Sequence, residues 1–400
     1  MKNFIYLSPN FPDNHWNFCR KLKDNGLRVL GIGDAPYDQL TPELKDSMHE
    51  YYKVSSLENY DEVYRAVAFF IFKYGPIDWL ETNNEYWLER DARLRTAFHI
   101  TSGFQEKDMP VVKFKSKMKK NYAKAGVPVA RYHLVDNYAN CRKFIDEVGY
   151  PVIVKPDNGV GAAHTYRLKS DEDLQNFLAT GVSEPYIMEE YIYGEVVTFD
   201  SITNSRGEVI FYTGNVTPNS LMDIVNNEDT CVFYIRSHVP EKLVEMGKAT
   251  LKAFGVKSRM CHFEYFCLDR DQHIGNKGDF VALEVNMRPS GGISPTMMNY
   301  ANETDIYEIW ADMIAYDETD KGQGNRHNCI FIGRRDNRNY VLNHDQYMEK
   351  YRDHIRIFDR VPDALSNTMG NLMYIGVFDT DEEVRQFIID GCNCVEGQPS

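Results

Sequence analysis

The chain has little that would tie it to a membrane, a secreted scaffold or nucleic acid. Its longest apolar run, Ala66 to Phe72, is far too short to span a bilayer. The first residues, Met1 to Pro9, go directly into a strand-like pattern without signal-peptide layout, so a cytoplasmic protein is expected. Basic residues are outnumbered, 45 Lys and Arg against 59 Asp and Glu, for a net charge of −14. That balance argues against sequence-independent nucleic-acid or acidic-membrane binding, which requires a basic surface. The eight cysteines are scattered, several inside apolar strand-like runs, the pattern of reduced thiols rather than a disulfide framework. Cys392-Asn393-Cys394 has no second ligand pair and is not read as a metal site. Gly31-Ile32-Gly33 lacks the third glycine and helix start of a dinucleotide fingerprint. Internal repeats, low-complexity segments and a persuasive Ser/His/Asp or Cys/His constellation are all missing.

At 400 residues the chain is long enough for two or three packed units with sizeable cores. The most informative stretch is Ala282-Leu283-Glu284-Val285-Asn286-Met287-Arg288-Pro289-Ser290-Gly291-Gly292. As a strand it alternates sides, so Phe280, Ala282, Glu284, Asn286 and Arg288 share one face and Val281, Leu283 and Val285 the other. A carboxylate, an amide oxygen and a guanidinium then emerge in a row from an apolar support. Such a row suits a magnesium-bound polyphosphate and a developing negative charge; a solvated strand edge carries the same letters. His262-Phe263-Glu264-Tyr265-Phe266 is a second acidic strand, joined to the first by a polar turn, so Glu264 and Glu284 are expected side by side. Neighbouring like charges destabilise a sheet unless something positive lies between them. A divalent cation is the simplest answer, and salt bridges to nearby lysines are the other.

Around this motif, residues 1–108 alternate strand and helix with short gaps, which indicates a parallel sheet covered on both faces. From about 109 the grammar changes. A lysine-rich helix, Phe114–Ala125, stops at Gly126-Val127-Pro128. Two further helices and a set of antiparallel strands follow, suggesting an α+β lid over a nucleotide at about 125–190. From about 320 the chain turns polar and then strand-rich, either a third small unit or a continuation of the second domain. The fold class is therefore α/β plus α+β, with domains at 1–108, 109–320 and 321–400.

Basic and glycine-bearing elements point the same way. Lys155 ends an apolar strand immediately before the loop Asn158-Gly159-Val160-Gly161-Ala162-Ala163-His164, and can reach a phosphate while its stem packs on apolar neighbours. Gly159 and Gly161 allow backbone N–H groups to fold over phosphates; an ordinary hairpin turn has the same composition. Lys115, Lys117, Lys119 and Lys120 share one helix, most of it read as a solvated face, with one lysine free for a second phosphate contact. Met188-Glu189-Glu190-Tyr191-Ile192 suits an adenine edge, with Glu195 reaching ribose hydroxyls; an acidic loop explains it equally well.

The order of these parts resembles the ATP-grasp superfamily over essentially residues 1–320. It runs from a lysine helix stopped by Gly-Val-Pro, through a strand ending Lys-Pro and a glycine loop, to Glu-Glu-Tyr-Ile before Gly-Glu and two acidic strands ending Glu-x-Asn-x-Arg-Pro. Asn84-Glu85 ahead of a helix and Arg288-Pro289-Ser290-Gly291-Gly292 look most like its carboxylate–amine ligases, the branch with dipeptide-forming amino-acid ligases, relatives of the carbamoyl phosphate synthase large subunit. The resemblance implies a pre-ATP-grasp domain, an ATP-grasp domain and ATP with Mg²⁺ (or Mn²⁺). Lys115 and Lys155 would contact phosphates, and the backbone of Glu189, Glu190, Tyr191 and Ile192 adenine. Glu195 would hold ribose, and Glu264, Glu284 and Asn286 the metal. Arg288 and Lys155 would be catalytic. The loop departs from many relatives in lacking a serine, which leaves His164 as its phosphate donor.

The implied reaction joins a small-molecule carboxylate to an amine through an acyl phosphate. A bicarbonate-using carboxylase or carbamoyl-phosphate-type enzyme and a nucleotide-binding regulatory protein without turnover are the alternatives. Substrate contacts are expected from Pro9–Pro12, from Asn215–Asp229 with its Asp223, Glu228 and Asp229, and from Ser290–Met298. A homodimer is the default assembly.

Overall fold

A computed structural model of the chain describes residues 1–159, 164–181, 184–218 and 229–395. The N-terminal strands Asn3–Leu7, Arg28–Gly33, Glu50–Lys53 and Trp79–Glu81 form a four-stranded parallel sheet, with Asn3–Leu7 between Arg28–Gly33 and Trp79–Glu81. All five residues of Asn3–Leu7 are buried, as a strand covered on both faces requires. One face packs on helix Tyr60–Tyr74 through Ile5, Leu30, Val63 and Phe70. The other places Phe4 and Tyr6 against Phe18 and the fully buried Trp310 of helix Ile306–Tyr316. The strand Glu50–Lys53 is absent from the sequence reading, because its two tyrosines lie between charged ends with no alternation to mark them. The apolar pattern suggests a helix over Leu57–Phe72, and the helix in the structure runs Tyr60–Tyr74. Asn59 caps it by accepting from the Glu62 N–H, which leaves Leu57 in the preceding turn.

A second, nine-stranded sheet holds the acidic hairpin at one edge. Its order runs Phe280–Asn286, Arg259–Leu268, Gly194–Thr203, Asn215–Thr217, Cys231–Ile235, Asn328–Arg334, Leu372–Phe378, Ile355–Arg360, with Val209–Thr213 also pairing with Gly194–Thr203. The tail strands are thus hydrogen-bonded into this sheet through Cys231–Ile235 and Asn328–Arg334. They also have a core of their own, in which Tyr347, Tyr374 and Phe387 are buried.

The third sheet pairs Tyr132–Leu134, Tyr186–Glu190, Val152–Pro156 and Tyr166–Leu168 in that order, all antiparallel. Helices Tyr138–Val148 and Asp171–Ala179 bury Phe144 and Phe177 against it. Asn137 and Ser170 cap those helices with their side chains. Between this sheet and the acidic hairpin runs helix Lys115–Ala125, closed by Gly126 in the left-handed region at φ 68°.

Candidate active site

The acidic hairpin puts its two carboxylates opposite one another: Glu264 pairs with Glu284, and His262 with Asn286. The register then slips, so that Tyr265 faces Ala282 and Leu283 is an extra residue. This corrects the simple alternation. Phe280, Ala282 and Val285 all join one apolar cluster, while Val281 joins another with Phe266. The bulge re-aims the end of the strand, and Glu284, Asn286 and Arg288 remain at alternate positions beyond it.

The two carboxylates differ in their surroundings. Glu264 accepts from His262 Nε2 at 3.0 Å, and His262 Nδ1 lies 2.7 Å from buried Asp200. Burial works against the Glu264 charge, yet His262, Arg288 and Lys155 together bring its pKa below the ordinary carboxylate value. For Glu284 burial wins: it raises the pKa, opposed by Lys115 at 3.6 Å and reinforced by Glu264. Two facing carboxylates, one of which resists ionisation in the bare protein, are a donor set suited to a hard divalent cation. Glu264, Glu284 and Asn286 fit Mg²⁺ on those grounds.

The lysine helix is anchored to the strand that carries Lys155. Asp157 takes the Ser116 N–H at 2.7 Å and the Ser116 hydroxyl at 2.7 Å, and its carbonyl takes the Lys115 N–H at 2.9 Å. That junction fixes Lys115 and Lys155 relative to each other. Lys115 Nζ also donates to the Gly159 carbonyl at 3.3 Å. Lys155 Nζ sits 2.7 Å from Glu189, and Lys119 makes a short hydrogen bond to the other oxygen of that carboxylate. Burial pushes Glu189 up, but Lys119 and Lys155 outweigh it and hold the pKa at about 2.

Lys119 is the residue the sequence reading missed. Its signal was there: Lys115 and Lys119 are four apart, on one helix face, and both are buried, whereas Lys117 and Lys120 are exposed. Lys113 and Glu85 were likewise given no site role. Glu85 accepts from Lys113 at 2.6 Å and from Arg288 Nε at 3.1 Å, while Arg288 Nη1 donates to the Pro289 carbonyl at 2.7 Å. Burial opposes the Glu85 charge, and the two cations lower its pKa in spite of that. Arg288 is thereby held over the acidic pair. Close by, His15 Nδ1, both amide atoms of Asn83 and Ser290 Oγ are buried without a hydrogen-bond partner. Burial, and then Arg288, keep His15 neutral, with a pKa of about 3.

The remaining candidates are more dispersed. Glu190 is buried, accepts the Arg131 backbone N–H at 2.6 Å and lies 3.3 Å from His273. Ile192 is buried among Ala130, Leu268 and Val281, and Tyr191 packs edge-on against Tyr193. Glu195 is bonded to Arg236 at 3.1 Å. His164 is exposed, in the left-handed region at φ 57°. Gly161, Asp223 and Glu228 lie outside the described residues, and Asp229 pairs with Arg338 at 3.4 Å.

Over its full length the chain superposes on an L-amino acid ligase from Bacillus licheniformis with a TM-score of 0.73, covering 100% of this chain and 99% of that one at 15% identity. The fold is that of the ATP-grasp enzymes. An ATP-grasp enzyme solved with ADP, the N5-carboxyaminoimidazole synthetase of Staphylococcus aureus, superposes with a TM-score of 0.69 at 11% identity, covering 97% of this chain and 96% of that one. In sequence, the family profile for the carbamoyl-phosphate synthase L chain ATP binding domain matches residues 113–196. The L-arginine-specific L-amino acid ligase of Bacillus subtilis is 23% identical over 263 residues, which span 64% of this chain and 62% of that protein. The profile match covers Lys115, Lys155, Glu189 and Glu195. The acidic hairpin lies beyond it.

Proposed function

We propose that this protein is an ATP- and Mg²⁺-dependent ligase that joins a carboxylate to an amine, releasing ADP and phosphate. The observation that carries the reading is the cross-strand pair Glu264/Glu284, set between Lys115, Lys155 and Arg288. A bound Mg²⁺ neutralises phosphate charge. Glu264, Glu284 and Asn286 are the residues that would hold it. Lys115 and Lys155 come from different elements locked together by Asp157, so both cations converge on one phosphate region. The backbone from Glu189 to Ile192 would take the adenine edge and Glu195 the ribose, with Gly159, Gly161 and His164 contributing to the phosphate cradle.

The chemistry asks the protein mainly for positioning and charge stabilisation. A carboxylate oxygen of the first substrate attacks the γ-phosphorus, the bond to the β-phosphate oxygen breaks, and ADP leaves. The amine nitrogen then attacks the acyl carbon and the carbon–oxygen bond to phosphate breaks. Phosphate departs with one amine proton. Arg288, fixed by Glu85, faces the charge that develops in both steps. The Ser290 hydroxyl and the Asn83 amide Nδ2 can donate to the carboxylate substrate beside it, and neutral His15 can do so in its Nδ1–H tautomer. Unmade buried hydrogen bonds of this kind cost about 1–3 kcal/mol each, which a bound substrate recovers. Among the described residues no helix is long and apolar enough to cross a membrane. A cytoplasmic homodimer with reduced cysteines completes the reading.

Phosphate release from ATP across pools of amino acids, small carboxylates, amines and bicarbonate tests it. The expected result is Mg²⁺-dependent release with one carboxylate–amine pair, together with a new amide and ADP. Release with bicarbonate alone, or no release with any pool despite tight ATP binding, would overturn the ligase reading.

A further inference from the structure

Tyr191-Ile192-Tyr193 is the passage from strand Tyr186–Glu190 of the third sheet to strand Gly194–Thr203 of the nine-stranded sheet. Immediately after it, the ladder with the first strand of the acidic hairpin begins, with Gly194 opposite Leu268. A Cβ at Gly194 would come within 2.3 Å of the Cys267 carbonyl oxygen, so glycine is what lets the two backbones meet there. The hairpin turn extends this ladder by one residue. Asp269 donates its backbone N–H to the Tyr193 carbonyl at 3.3 Å. Gln272 then engages both backbone groups of Tyr193: its Nε2 donates to the carbonyl at 2.7 Å, and its Oε1 accepts the N–H at 3.1 Å. One side-chain amide thus does for Tyr193 what a neighbouring antiparallel strand would do.

Gln272 is itself fixed. Its backbone exchanges both hydrogen bonds with Gly275, at 2.8 and 3.1 Å, which closes the turn on itself. Side chains add to the junction. The Arg270 guanidinium lies over the Tyr193 ring, 4.4 Å from its centre, and Tyr193 packs edge-on against Tyr191 at 4.8 Å. Arg167 of strand Tyr166–Leu168 covers Tyr191 in turn, at 5.0 Å. At the other end of the passage the Glu190 N–H donates to the Arg131 carbonyl at 3.1 Å. The passage is therefore held at both ends, and at Tyr193 the holder belongs to the hairpin that carries Glu264 and Glu284.

The peptide between Ile192 and Tyr193 is trans, so its N–H and C=O point opposite ways in one plane. Aiming the Tyr193 N–H at Gln272 therefore fixes the direction of the Ile192 carbonyl. Adenine presents an amino donor beside a ring-nitrogen acceptor; guanine presents an oxygen acceptor beside an N–H donor in the same places. A peptide plane free to turn could face either base, whereas one held in a single direction tells them apart. We propose that Gln272 is a positioning residue for base selection: it holds the Ile192–Tyr193 peptide so that the site takes adenine and rejects guanine. The inference rests on the ATP-site reading above and adds the residue that sets base specificity.

Calorimetric titration of the intact protein with ADP and with GDP, both with Mg²⁺, tests it, because the two ligands share their phosphates and ribose and differ only in the base. The wild type should bind ADP about a hundredfold or more tightly than GDP. Gln272→Met keeps the side-chain length and removes both hydrogen bonds, and the preference should shrink about tenfold, the size of one lost hydrogen bond to the base. Gln272→Glu keeps the acceptor for the Tyr193 N–H and should retain more of the preference than Gln272→Met. Arg270→Ala removes only the ring contact and should leave the preference unchanged, while thermal midpoints report that each variant folds. An unchanged preference in Gln272→Met, or a loss of affinity shared equally by ADP and GDP as a merely structural contact would give, would overturn the proposal. A wild type that binds neither nucleotide would overturn the ATP-site reading with it. Binding is readable whether or not ATP is turned over, so failure here and failure of the ligase reading are separate results.

Discussion

Glu189 and Glu284 are both glutamates on strands at the same site, and their electrostatics are opposite. Glu189 sits between Lys119 and Lys155, whose charges hold it ionised at a pKa of about 2 despite its burial. Glu284 faces another carboxylate, and burial raises its pKa although Lys115, 3.6 Å away, and Lys155 oppose the rise. The first carboxylate already has its cations from the chain itself. The second has a deficit that a metal ion would fill. A buried charge with its partners supplied is structural glue, whereas one without them marks where a ligand belongs.

Substitutions can break or sharpen this contrast. Glu284→Gln should give the largest effect, loss of ADP release by about three orders of magnitude or more. Its thermal midpoint in the absence of nucleotide should be unchanged or higher, because a repulsive pair has been removed. Glu85→Gln should come next. It releases Arg288 without touching the acidic pair, and kcat should fall by about 10²-fold with the fold intact, as seen when a positioned charge stabiliser is loosened.

Glu189→Gln should do the reverse of Glu284→Gln in a melting experiment. It strands two buried lysines, and stability should drop by about 3 kcal/mol or more. The pH dependence follows from the same pair. A carboxylate whose folded pKa is depressed stabilises above its unfolded value and loses that contribution as pH falls. Melting curves of the wild type should therefore weaken between about pH 4.5 and about pH 2, and Glu189→Gln should flatten that slope. The smallest effect is expected from Lys117→Ala. That lysine is exposed on the same helix, and both KM for ATP and stability should stay within error, against about a tenfold rise in KM for Lys119→Met.

The comparison also shows what a sequence can reveal here. The hairpin was legible because two strand patterns flank a polar turn, and side-by-side glutamates follow from that connection alone. Its bulge was not, since Leu283 looks like any apolar strand residue until the partner strand sets the register. Lys119 was hidden by its charged neighbours: a run of lysines reads as solvated until packing buries one face of the helix. The link from Glu85 to Arg288 joins residues 203 apart in sequence, which no local pattern encodes. Strand Glu50–Lys53 was lost for a related reason. It is short, and neighbouring parallel strands rather than its own alternation define it.

The central claim is that Glu264 and Glu284 form the cation site, and titration of Mg²⁺ into the protein saturated with a non-hydrolysable ATP analogue tests it most directly. The account predicts binding to the wild type that is weakened at least a hundredfold in both Glu264→Gln and Glu284→Gln, and unaffected by Lys117→Ala. Equal Mg²⁺ affinity in the wild type and the two glutamine variants would contradict it.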